Sequence, residues 1–510
     1  MKPKRSWALA VALGLLLAWA AFGAAAASKE KVVIGLSADP TTFDPHVTTG
    51  LPMTQTFPLV FDNILSRDHA GRVIPHLATS WRWLKPTLLE LKIREGVRFH
   101  NGEPLDAHAV RYSIERIFDP KLKSLVLGHV KSIDRVEVAD AYTVRVHTKT
   151  PASYLISAFA EFVAVVPPKH YQSQDLKHLA RNPVGSGPYR LVKWKRGEEI
   201  ILEANPGYWD PSKRRVKTGV IKVIPETTTR VSALVAGSVD IVDSIPPQMV
   251  PMIKANPNFE VVTGPSPKTC FITMVIRDGA PWSKLEVRQA LNYAVDKESI
   301  VKNVLEGYGG VALGTIVGPT SYGHNPGLGP YPYDLAQAKK LLARAGYPNG
   351  FDVDMFVPLG RYLKGTEAAE ALGGQLANVG VNVRVRTLEY GAWRRNSEAR
   401  WQPHVKPFWS YVCRANTSLH AANMYEGAIH SKSLHGGVRD ENIDRLVDEA
   451  LAEADEDKQL KKYQDLNRTI REQALVVFLF HLDQITGKRK NVGWRIRANE
   501  ALLLSDMWVN

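Results

Sequence analysis

Residues 182–209 of the chain, NPVGSGPYRLVKWKRGEEIILEANPGYW, contain the pattern that decides the fold. Two glycines and two prolines lie between positions 183 and 188, and they predict a tight turn that larger side chains could not follow. Residues 189–194 and 199–204 alternate as strands do, and the segment KRGE between them favours a turn. We therefore expect a β-hairpin in this part of the chain.

The segment after this hairpin has the pattern of a strand, a helix and a second strand. Residues 220–224 are VIKVI and residues 239–243 are VDIVD, and both sequences favour strands. Three apolar residues between them share one face of a helix that threonines cap and Gly237 ends: Val231, Leu234 and Val235. This succession is typical of an α/β lobe.

The N-terminus has the pattern of a secretory signal peptide. Three cations precede an apolar run over 7–22, and small residues fill 23–27. A membrane anchor is the alternative, but a span normally needs about 20 apolar residues and this run is shorter. No cysteine lies near the cleavage site to carry a lipid. We expect cleavage near Ala27 and a periplasmic location.

Composition limits the number of domains and the partners. The 510 residues suffice for two or three domains. The formal net charge of +14 would suit a nucleic-acid partner. The cations are scattered, however, so solvated surfaces are the favoured interpretation and we expect no nucleic-acid partner.

The two cysteines, Cys270 and Cys413, are too few for a disulfide framework or a thiolate metal site. Both lie in apolar, strand-like runs. An oxidising compartment would allow one bridge, which requires the two runs to be neighbouring strands. The sequence leaves open whether the pair is bridged.

Changes of pattern divide the chain into lobes. Short strands and one helix, capped by Asp106, fill 58–181 and predict a small α+β domain inserted in the first lobe. The segment GPSP at 264–267 marks the crossing to a second lobe. We assign 28–57, 182–265 and 480–510 to lobe I, and 266–479 to lobe II.

The second lobe also has an α/β pattern. Residues 351–357, 366–379 and 381–388 predict a strand, a helix and a parallel strand. Residues 285–305 predict one long amphipathic helix, and Asp334 caps another. Apolar residues at helical spacing continue through 441–472, ahead of an apolar strand at 476–482.

Several motifs resemble, in order and spacing, those of the family 5 extracellular solute-binding proteins, the dipeptide, oligopeptide and nickel-chelate binding class of ABC importers. They are FHNGEPLDAHAVRYSIERI (99–117), VGSGPYRLVKW (184–194), NPGYW (205–209), ALVAGSVDIV (233–242) and VRQALNYAVDK (287–297). The resemblance covers nearly the whole mature chain. It implies a two-lobed α/β periplasmic binding protein, type II-like and of cluster C, with the extra α+β domain in its first lobe.

The resemblance also implies a function. Such a protein closes its two lobes on a small-molecule solute and delivers the solute to an inner-membrane ABC permease. We expect a monomer that uses neither a cofactor nor a metal.

Two other classes of function stay open. A periplasmic hydrolase is disfavoured, because the chain has no H-E-x-x-H, phosphate loop or G-x-S-x-G motif. A haem or metal-chelate binding protein is the second alternative, because the family includes chelate binders. The histidines that could contribute to such a site are His46, His404, His420, His430, His435 and His481.

The resemblance places the ligand cleft along the loop after the first strand, so His46, Thr48 and Met53 are candidate ligand contacts. In peptide-binding relatives an aspartate after a strand of the second lobe pairs with the ligand's amino group. The matching stretch here, 408–418, contains no acid, and Arg414 stands close to where the acid would be. An ordinary α-amino peptide would lack its counter-charge, so a blocked, sugar-like or acidic ligand suits the site better.

Arg361 is the candidate for holding an anionic group of the ligand. It follows the strand at 351–357, and it resembles the residue that holds the ligand carboxylate in some dipeptide-binding relatives. A solvated surface arginine is the alternative. The remaining cleft candidates are Trp409, Tyr411, Asn416 and His481, although Trp409 and Tyr411 could equally belong to the core.

Overall fold

The computed structural model describes residues 30–433 and 435–510, so the predicted signal peptide, 1–27, lies outside the described residues. The strands are β1 (Lys31–Leu36), β2 (Ser66–Arg67), β3 (Val73–Ile74), β4 (Ala78–Lys85), β5 (Leu88–Ile93), β6 (Ile133–Asp140), β7 (Thr143–Thr148), β8 (Tyr189–Lys195), β9 (Glu199–Ala204), β10 (Thr218–Val223), β11 (Ile241–Val242), β12 (Phe259–Met274), β13 (Gly309–Val311), β14 (Phe351–Pro358), β15 (Val381–Leu388), β16 (Trp409–Ala415), β17 (Val476–Arg489), β18 (Val492–Gly493) and β19 (Trp508–Val509). The helices are α1 (Leu51–Val60), α2 (Ala107–Ile117), α3 (Leu127–Val130), α4 (Leu155–Glu161), α5 (Pro168–Ser173), α6 (Leu176–Leu179), α7 (Thr227–Val235), α8 (Val250–Lys254), α9 (Leu285–Tyr293), α10 (Lys297–Asn303), α11 (Leu335–Arg344), α12 (Gly365–Ala377), α13 (Tyr390–Ala399), α14 (Ala421–Ala428), α15 (Glu441–Leu451) and α16 (Glu456–Glu472).

Two long antiparallel strands, β12 and β17, join the two lobes. The main sheet has the order β15-β14-β16-β12-β17-β11-β1-β10-β9-β8, and β13 pairs with β17. The register between β12 and β17 shifts between Pro265 and Thr269, which overlaps the predicted crossing at 264–267. Because each lobe's strands attach to one end of this pair, the two strands connect the lobes and can act as a hinge. The predicted fold class, a two-lobed α/β protein, is confirmed.

The predicted hairpin is formed by β8 and β9, which pair from Tyr189 with Ala204 to Lys195 with Glu199. The reason for the glycines before it differs from the expected one, because neither Gly185 nor Gly187 has a positive φ. Both lie against the backbone at the end of α1. A Cβ on Gly185 would come within 2.1 Å of Val60 O, and one on Gly187 within 2.5 Å of Val60 C. Glycine is therefore required at positions 185 and 187 because two chain segments approach each other closely there.

In the first lobe, β1 pairs in parallel with both β10 and β11. Helix α7 lies between β10 and β11 in the sequence, as predicted, and ends before Gly237, whose φ is +77°. The predicted threonine cap is wrong, because the carboxylate of Glu226 accepts hydrogen bonds from the backbone N–H groups of Thr228 and Thr229. A longer acidic side chain thus satisfies the first donors of the helix, where the macrodipole favours negative charge.

In the second lobe, β14 pairs in parallel with both β15 and β16, and α12 connects β14 to β15 as predicted. The predicted single helix over 285–305 is wrong. It is divided into α9 and α10, because the Asp296 side chain accepts a hydrogen bond from Ser299 N and so begins a new helix. The Asp334 cap of α11 is present, with Oδ1 2.8 Å from Gln337 N.

Residues between β2 and α4 build a separate antiparallel sheet, in the order β4-β5-β7-β6. Its inner face and α2 form their own hydrophobic cluster, which includes Leu89, Val110, Ile114 and Val146. The Asp106 side chain caps α2 as predicted. The limits of the inserted domain, 58–181, stay a prediction.

The two cysteines face each other across neighbouring strands. Cys270 of β12 is directly opposite Cys413 of β16, their Cα atoms lie 4.0 Å apart, and their sulfur atoms form a disulfide. The bridge fixes the end of β16 to a hinge strand. Within residues 30–433 and 435–510, none of the helices combines the length and the apolar composition that a membrane span requires.

Candidate functional site

The candidate site lies beyond the strand ends of lobe II. In open α/β sheets, ligands bind beyond the carboxyl ends of strands where neighbouring connections diverge. In lobe II this position is at β14, which has parallel partners on both sides. Met355 of β14 pairs with Trp409 of β16, so Arg361, after β14, and Arg414, near the end of β16, belong to the same edge of the sheet.

Arg361 is exposed, and its guanidinium lies over an aromatic side chain of the same lobe. The Cζ atom is 4.1 Å from the centroid of the Tyr390 ring. Tyr390 in turn stacks on Trp393 with ring centroids 5.9 Å apart. This stacking helps to hold the arginine in place by a cation–π contact.

Arg414 is held by one residue, Asn423, and one of its buried donors has no partner among the described residues. Its Nη2 donates to the backbone O of Asn423 at 3.0 Å and to Oδ1 of Asn423 at 3.2 Å. Its Nε is buried and meets no acceptor among the described residues. Burial lowers the pKa of Arg414 below its usual value, although Tyr362 and Glu426 oppose this. A buried N–H without an acceptor is costly, so this donor suits an anionic ligand atom.

The opposite wall of the cleft comes from residues that the sequence did not single out. The His129 ring stacks on Phe162, with centroids 3.9 Å apart. The pKa of His129 falls to about 4, mainly because of burial and next because of the positive charge of Arg414. The ring therefore lies close enough to Arg414 to be affected by its charge.

Phe162 links this wall to two predicted contacts. It lines one cavity together with Thr48 and Met53. The structure thus places Thr48 and Met53 in one cavity with Phe162, which stacks on His129. No local signal marked the last two residues, because their approach to the cleft depends on the packing of a distant segment.

The surroundings of Arg414 in lobe II carry several positive charges. The pKa of His435 falls to about 4 because of burial, and the nearby cations Arg414, Arg400, Arg361 and Arg394 lower it further. Glu426, on α14, is paired with Lys131 across the cleft at 3.3 Å. The field near Arg414 therefore favours an anionic group.

His46 is fully buried and uses both ring nitrogens for the protein itself. Its Nε2 donates to Ala164 O at 2.8 Å, and its Nδ1 accepts from Arg116 Nη1 at 3.1 Å. The pKa of His46 falls to about 4, first because of burial and then because of Arg116. Arg116 also holds Asp44 at 2.6 Å. His46 organises the loop, and this arrangement leaves it no free nitrogen for a ligand.

Three other predicted contacts are buried in lobe II. Trp409 and Tyr411 are both 0 % exposed and belong to its core, where Trp409 packs 5.4 Å from Trp282. Their burial favours the interpretation that Trp409 and Tyr411 are core residues rather than ligand contacts. Asn416 is also fully buried; its Nδ2 donates to Ser321 Oγ at 2.9 Å and its Oδ1 accepts from Ser418 Oγ at 3.0 Å. Asn416 shapes the loop after β16.

His481 lies apart from this group. Its Nδ1 is 2.9 Å from Thr269 Oγ1, and burial lowers its pKa to about 4. It lines a different cavity, of about 250 Å³, together with His324 and Asp483. Within 30–433 and 435–510, no three His, Cys, Asp or Glu side chains are grouped so that they could hold a metal ion.

Two lobes joined by two strands, with charged side chains from both lobes lining the cleft, define a solute-binding protein. Residues 72–411 match the bacterial extracellular solute-binding proteins, family 5. The chain belongs to this family, whose members are binding proteins. The predicted function, substrate-binding protein of an ABC importer, is confirmed.

Similar proteins extend over most of the chain. The glutathione-binding protein GsiB of Pectobacterium atrosepticum is 29 % identical over 392 residues, which are 77 % of this chain and 75 % of that protein. GsiB of Salmonella typhimurium is 28 % identical over 393 residues, with the same coverage. The structure of CtaP from Listeria monocytogenes matches with a TM-score of 0.84 at 19 % identity, covering 94 % of this chain and 99 % of CtaP. DppA from Helicobacter pylori, in complex with the peptide STSA, matches with a TM-score of 0.76 at 22 % identity, covering 94 % of this chain and 98 % of DppA.

Proposed function

We propose that the protein captures a peptide-like solute with an anionic group in the periplasm, as a monomer, and delivers it to an inner-membrane ABC permease. The observation that carries this proposal is the buried Nε of Arg414, which has no acceptor among the described residues. Arg361 supplies a second guanidinium at the same edge of the sheet. Two arginines can bind a carboxylate through several charge-assisted hydrogen bonds.

Closure of the lobes explains how binding becomes a signal. Arg361 and Arg414 belong to the second lobe, whereas Thr48, Met53 and Phe162 reach the ligand from the other side. A ligand that touches both sides has its full set of contacts only in the closed form. Binding therefore shifts the equilibrium towards that form, which the permease recognises.

Glutathione is a suitable first probe. It is a small peptide with two carboxylates, and the curated relatives are glutathione-binding proteins. Under this proposal, reduced glutathione binds in isothermal titration calorimetry, and its diethyl ester, which lacks both negative charges, binds at least about thirtyfold more weakly. Equal affinity for the acid and the ester would refute the anionic site.

A further inference from the structure

A separate polar cavity lies at the hinge. Its volume is about 250 Å³, and it lies beside β17, where β12 and β13 pair with opposite edges of that strand. His481 of β17 pairs with Gly310 of β13 on one side and with Thr269 of β12 on the other. The volume is below the range of about 300–1,000 Å³ that is usual for drug-sized ligands, so the cavity suits only a small molecule.

A glycine in β13 leaves this space open. Gly310 lines the cavity, and a Cβ added to it would meet no atom within 4 Å. Because Gly310 is directly opposite His481, this Cβ would lie on the same face of the sheet as the histidine ring. The φ of Gly310 is not in the left-handed region, so a larger residue can adopt its backbone conformation. The space beside His481 therefore exists because position 310 has no side chain.

His481 brings a buried donor to the cavity. The residue is 7 % exposed, its Nδ1 is 2.9 Å from Thr269 Oγ1, and its Nε2 has no partner among the described residues. When the Thr269 hydroxyl donates to Nδ1, only the Nε2–H is left unsatisfied. The other tautomer would leave both the hydroxyl proton and Nε2 without partners within the part of the chain that the structure describes. Nε2 of His481 is therefore best described as an N–H donor that needs an acceptor.

Two acceptors line the same cavity. Nδ1 of His324 lies 2.8 Å from Val317 O, which can only accept, so Nδ1 carries the proton and Nε2 of the neutral ring is an acceptor. The carboxylate of Asp483 makes no hydrogen bond or ion pair with any described residue, and burial raises its pKa above the usual value. The cavity thus combines one donor with two acceptors.

This combination determines which ligand chemistry fits. A carboxylate would suit the donor of His481 but would meet the negative charge of Asp483, and an ammonium group would leave the donor without an acceptor. A hydroxyl group can accept from His481 and donate to His324 or Asp483. The rest of the lining offers apolar surface to the C–H groups of a ligand, from Val311, Leu313, Pro319 and Leu482.

We propose that the hinge cavity binds a small neutral polyol through neighbouring hydroxyl groups. His481 donates to one hydroxyl, and His324 and Asp483 accept from that hydroxyl and its neighbour. This site goes beyond the proposed function, because it uses neither Arg361 nor Arg414 and does not depend on the solute in the cleft.

The test measures the binding of myo-inositol by isothermal titration calorimetry at pH 7.5. Every ring carbon of this probe carries a hydroxyl group, so any orientation presents neighbouring hydroxyls to the cavity. Cyclohexanol has the same ring with a single hydroxyl and is the comparison probe. We expect the wild type to bind myo-inositol with a Kd of about 1 mM or tighter, and cyclohexanol at least about tenfold more weakly, because it lacks the second hydroxyl.

Two variants change the cavity in different ways. His481→Asn removes Nε2 but keeps an oxygen that can accept from the Thr269 hydroxyl, and it should bind myo-inositol at least about fivefold more weakly. Gly310→Val fills the space and leaves each polar group in place, so it should abolish binding. His178→Asn makes the same exchange at an exposed histidine that does not line the cavity, and it should bind as the wild type does.

Undiminished binding of myo-inositol in either His481→Asn or Gly310→Val overturns the proposal. Equal binding of the two probes by the wild type also overturns it, and this comparison needs no variant to fold. No detectable binding of myo-inositol by the wild type overturns it as well and shows that only water fills the cavity. Loss of binding in Arg361→Ala together with retention in His481→Asn would place the polyol in the cleft and overturn the hinge site.

Discussion

At the scale of single residues, Arg361 offers the most direct test of the anionic site. Arg361→Ala should weaken the binding of glutathione by about thirtyfold, which corresponds to about 2 kcal/mol, because a charge-assisted contact is lost. The melting temperature of the ligand-free protein should stay nearly constant, since the side chain is exposed and its stacking partner, Tyr390, belongs to the same lobe. Calorimetry and thermal unfolding measure the two effects.

Arg394→Ala is the matched control for Arg361→Ala. Arg394 is an exposed arginine of the same lobe and is paired with Glu398 at 2.9 Å on α13. Its loss removes one positive charge near the cleft without removing a proposed ligand contact. An equal loss of affinity in both variants would show that the general field, rather than Arg361 itself, holds the ligand.

The glycines before the first hairpin give a prediction on stability. Gly185→Ala should destabilise the protein by about 2 kcal/mol or more, because the new Cβ would lie 2.1 Å from Val60 O and the backbone would have to move. Gly207→Ala, in the same stretch, would bring its Cβ to 3.7 Å from Asn205 Oδ1, which is ordinary contact. Chemical denaturation of the two variants should therefore give different midpoints; similar midpoints would contradict the close-approach argument.

At the scale of elements, the disulfide connects a hinge strand to the strand that carries Arg414. It closes a loop with a sequence separation of 143 residues. Replacing both cysteines with alanine should cost about 2 to 5 kcal/mol of stability, by the chain-entropy estimate for long loops. Thiol titration of the denatured, unreduced wild type should find no free thiol. Detection of two thiols would show that the bridge does not form.

The elements also show which parts of the fold the sequence could predict. The hairpin, the caps Asp106 and Asp334, and the parallel strands β14 and β15 were predicted because their signals are local. The division between α9 and α10 was missed because apolar spacing continues across the Asp296 cap and conceals the break.

The sequence could mark candidate site residues only where a motif or a strand end stood out, and their contact with a ligand stays a prediction. Arg361 and Arg414 follow strands, and the resemblance to the family directed attention to both positions. Phe162 and His129 lie in a segment whose local pattern is that of ordinary packing. Their approach to Thr48 and Met53 exists only in the tertiary structure. Conversely, Trp409 and Tyr411 were plausible contacts in sequence, but their side chains point into the core.

At the scale of the whole molecule, buried histidines predict a loss of stability in mild acid. Burial lowers the pKa of six histidines to about 4 or below: His46, His100, His129, His420, His435 and His481. In the unfolded chain these groups bind protons below about pH 6.5, whereas the folded protein excludes them until about pH 4. The stability they contribute is present above pH 6.5 and is lost as the pH falls through this window.

Thermal unfolding between pH 7.5 and pH 5 measures this effect. The melting temperature should fall across that range, and His46 alone should account for about 2 kcal/mol by pH 5 if its pKa is about 4. A His46→Gln variant should be less stable at pH 7.5 but should lose less stability on acidification. A wild-type melting temperature that is constant down to pH 5 would contradict the neutral, buried state of these rings.

Closure of the two lobes predicts an effect of charges that do not touch the ligand. Lys131 and Glu426 meet across the cleft at 3.3 Å, and both side chains are partly exposed. Such a pair contributes at most about 1 kcal/mol and is screened by salt. Lys131→Glu should replace this attraction by repulsion in the closed form alone, so it should weaken glutathione binding by about fivefold to tenfold at low salt.

The salt dependence distinguishes this effect from the loss of a ligand contact. At 0.5 M NaCl the affinities of Lys131→Glu and the wild type should converge, because the Debye length falls to about 4 Å. Lys149→Glu makes the same charge change at another exposed lysine and should bind as the wild type does at either salt concentration.

Small-angle scattering should show that the ligand makes the wild type more compact, and that Lys131→Glu needs a higher ligand concentration for the same change. If the two lysine variants lose affinity equally, net charge rather than contact between the lobes determines the effect.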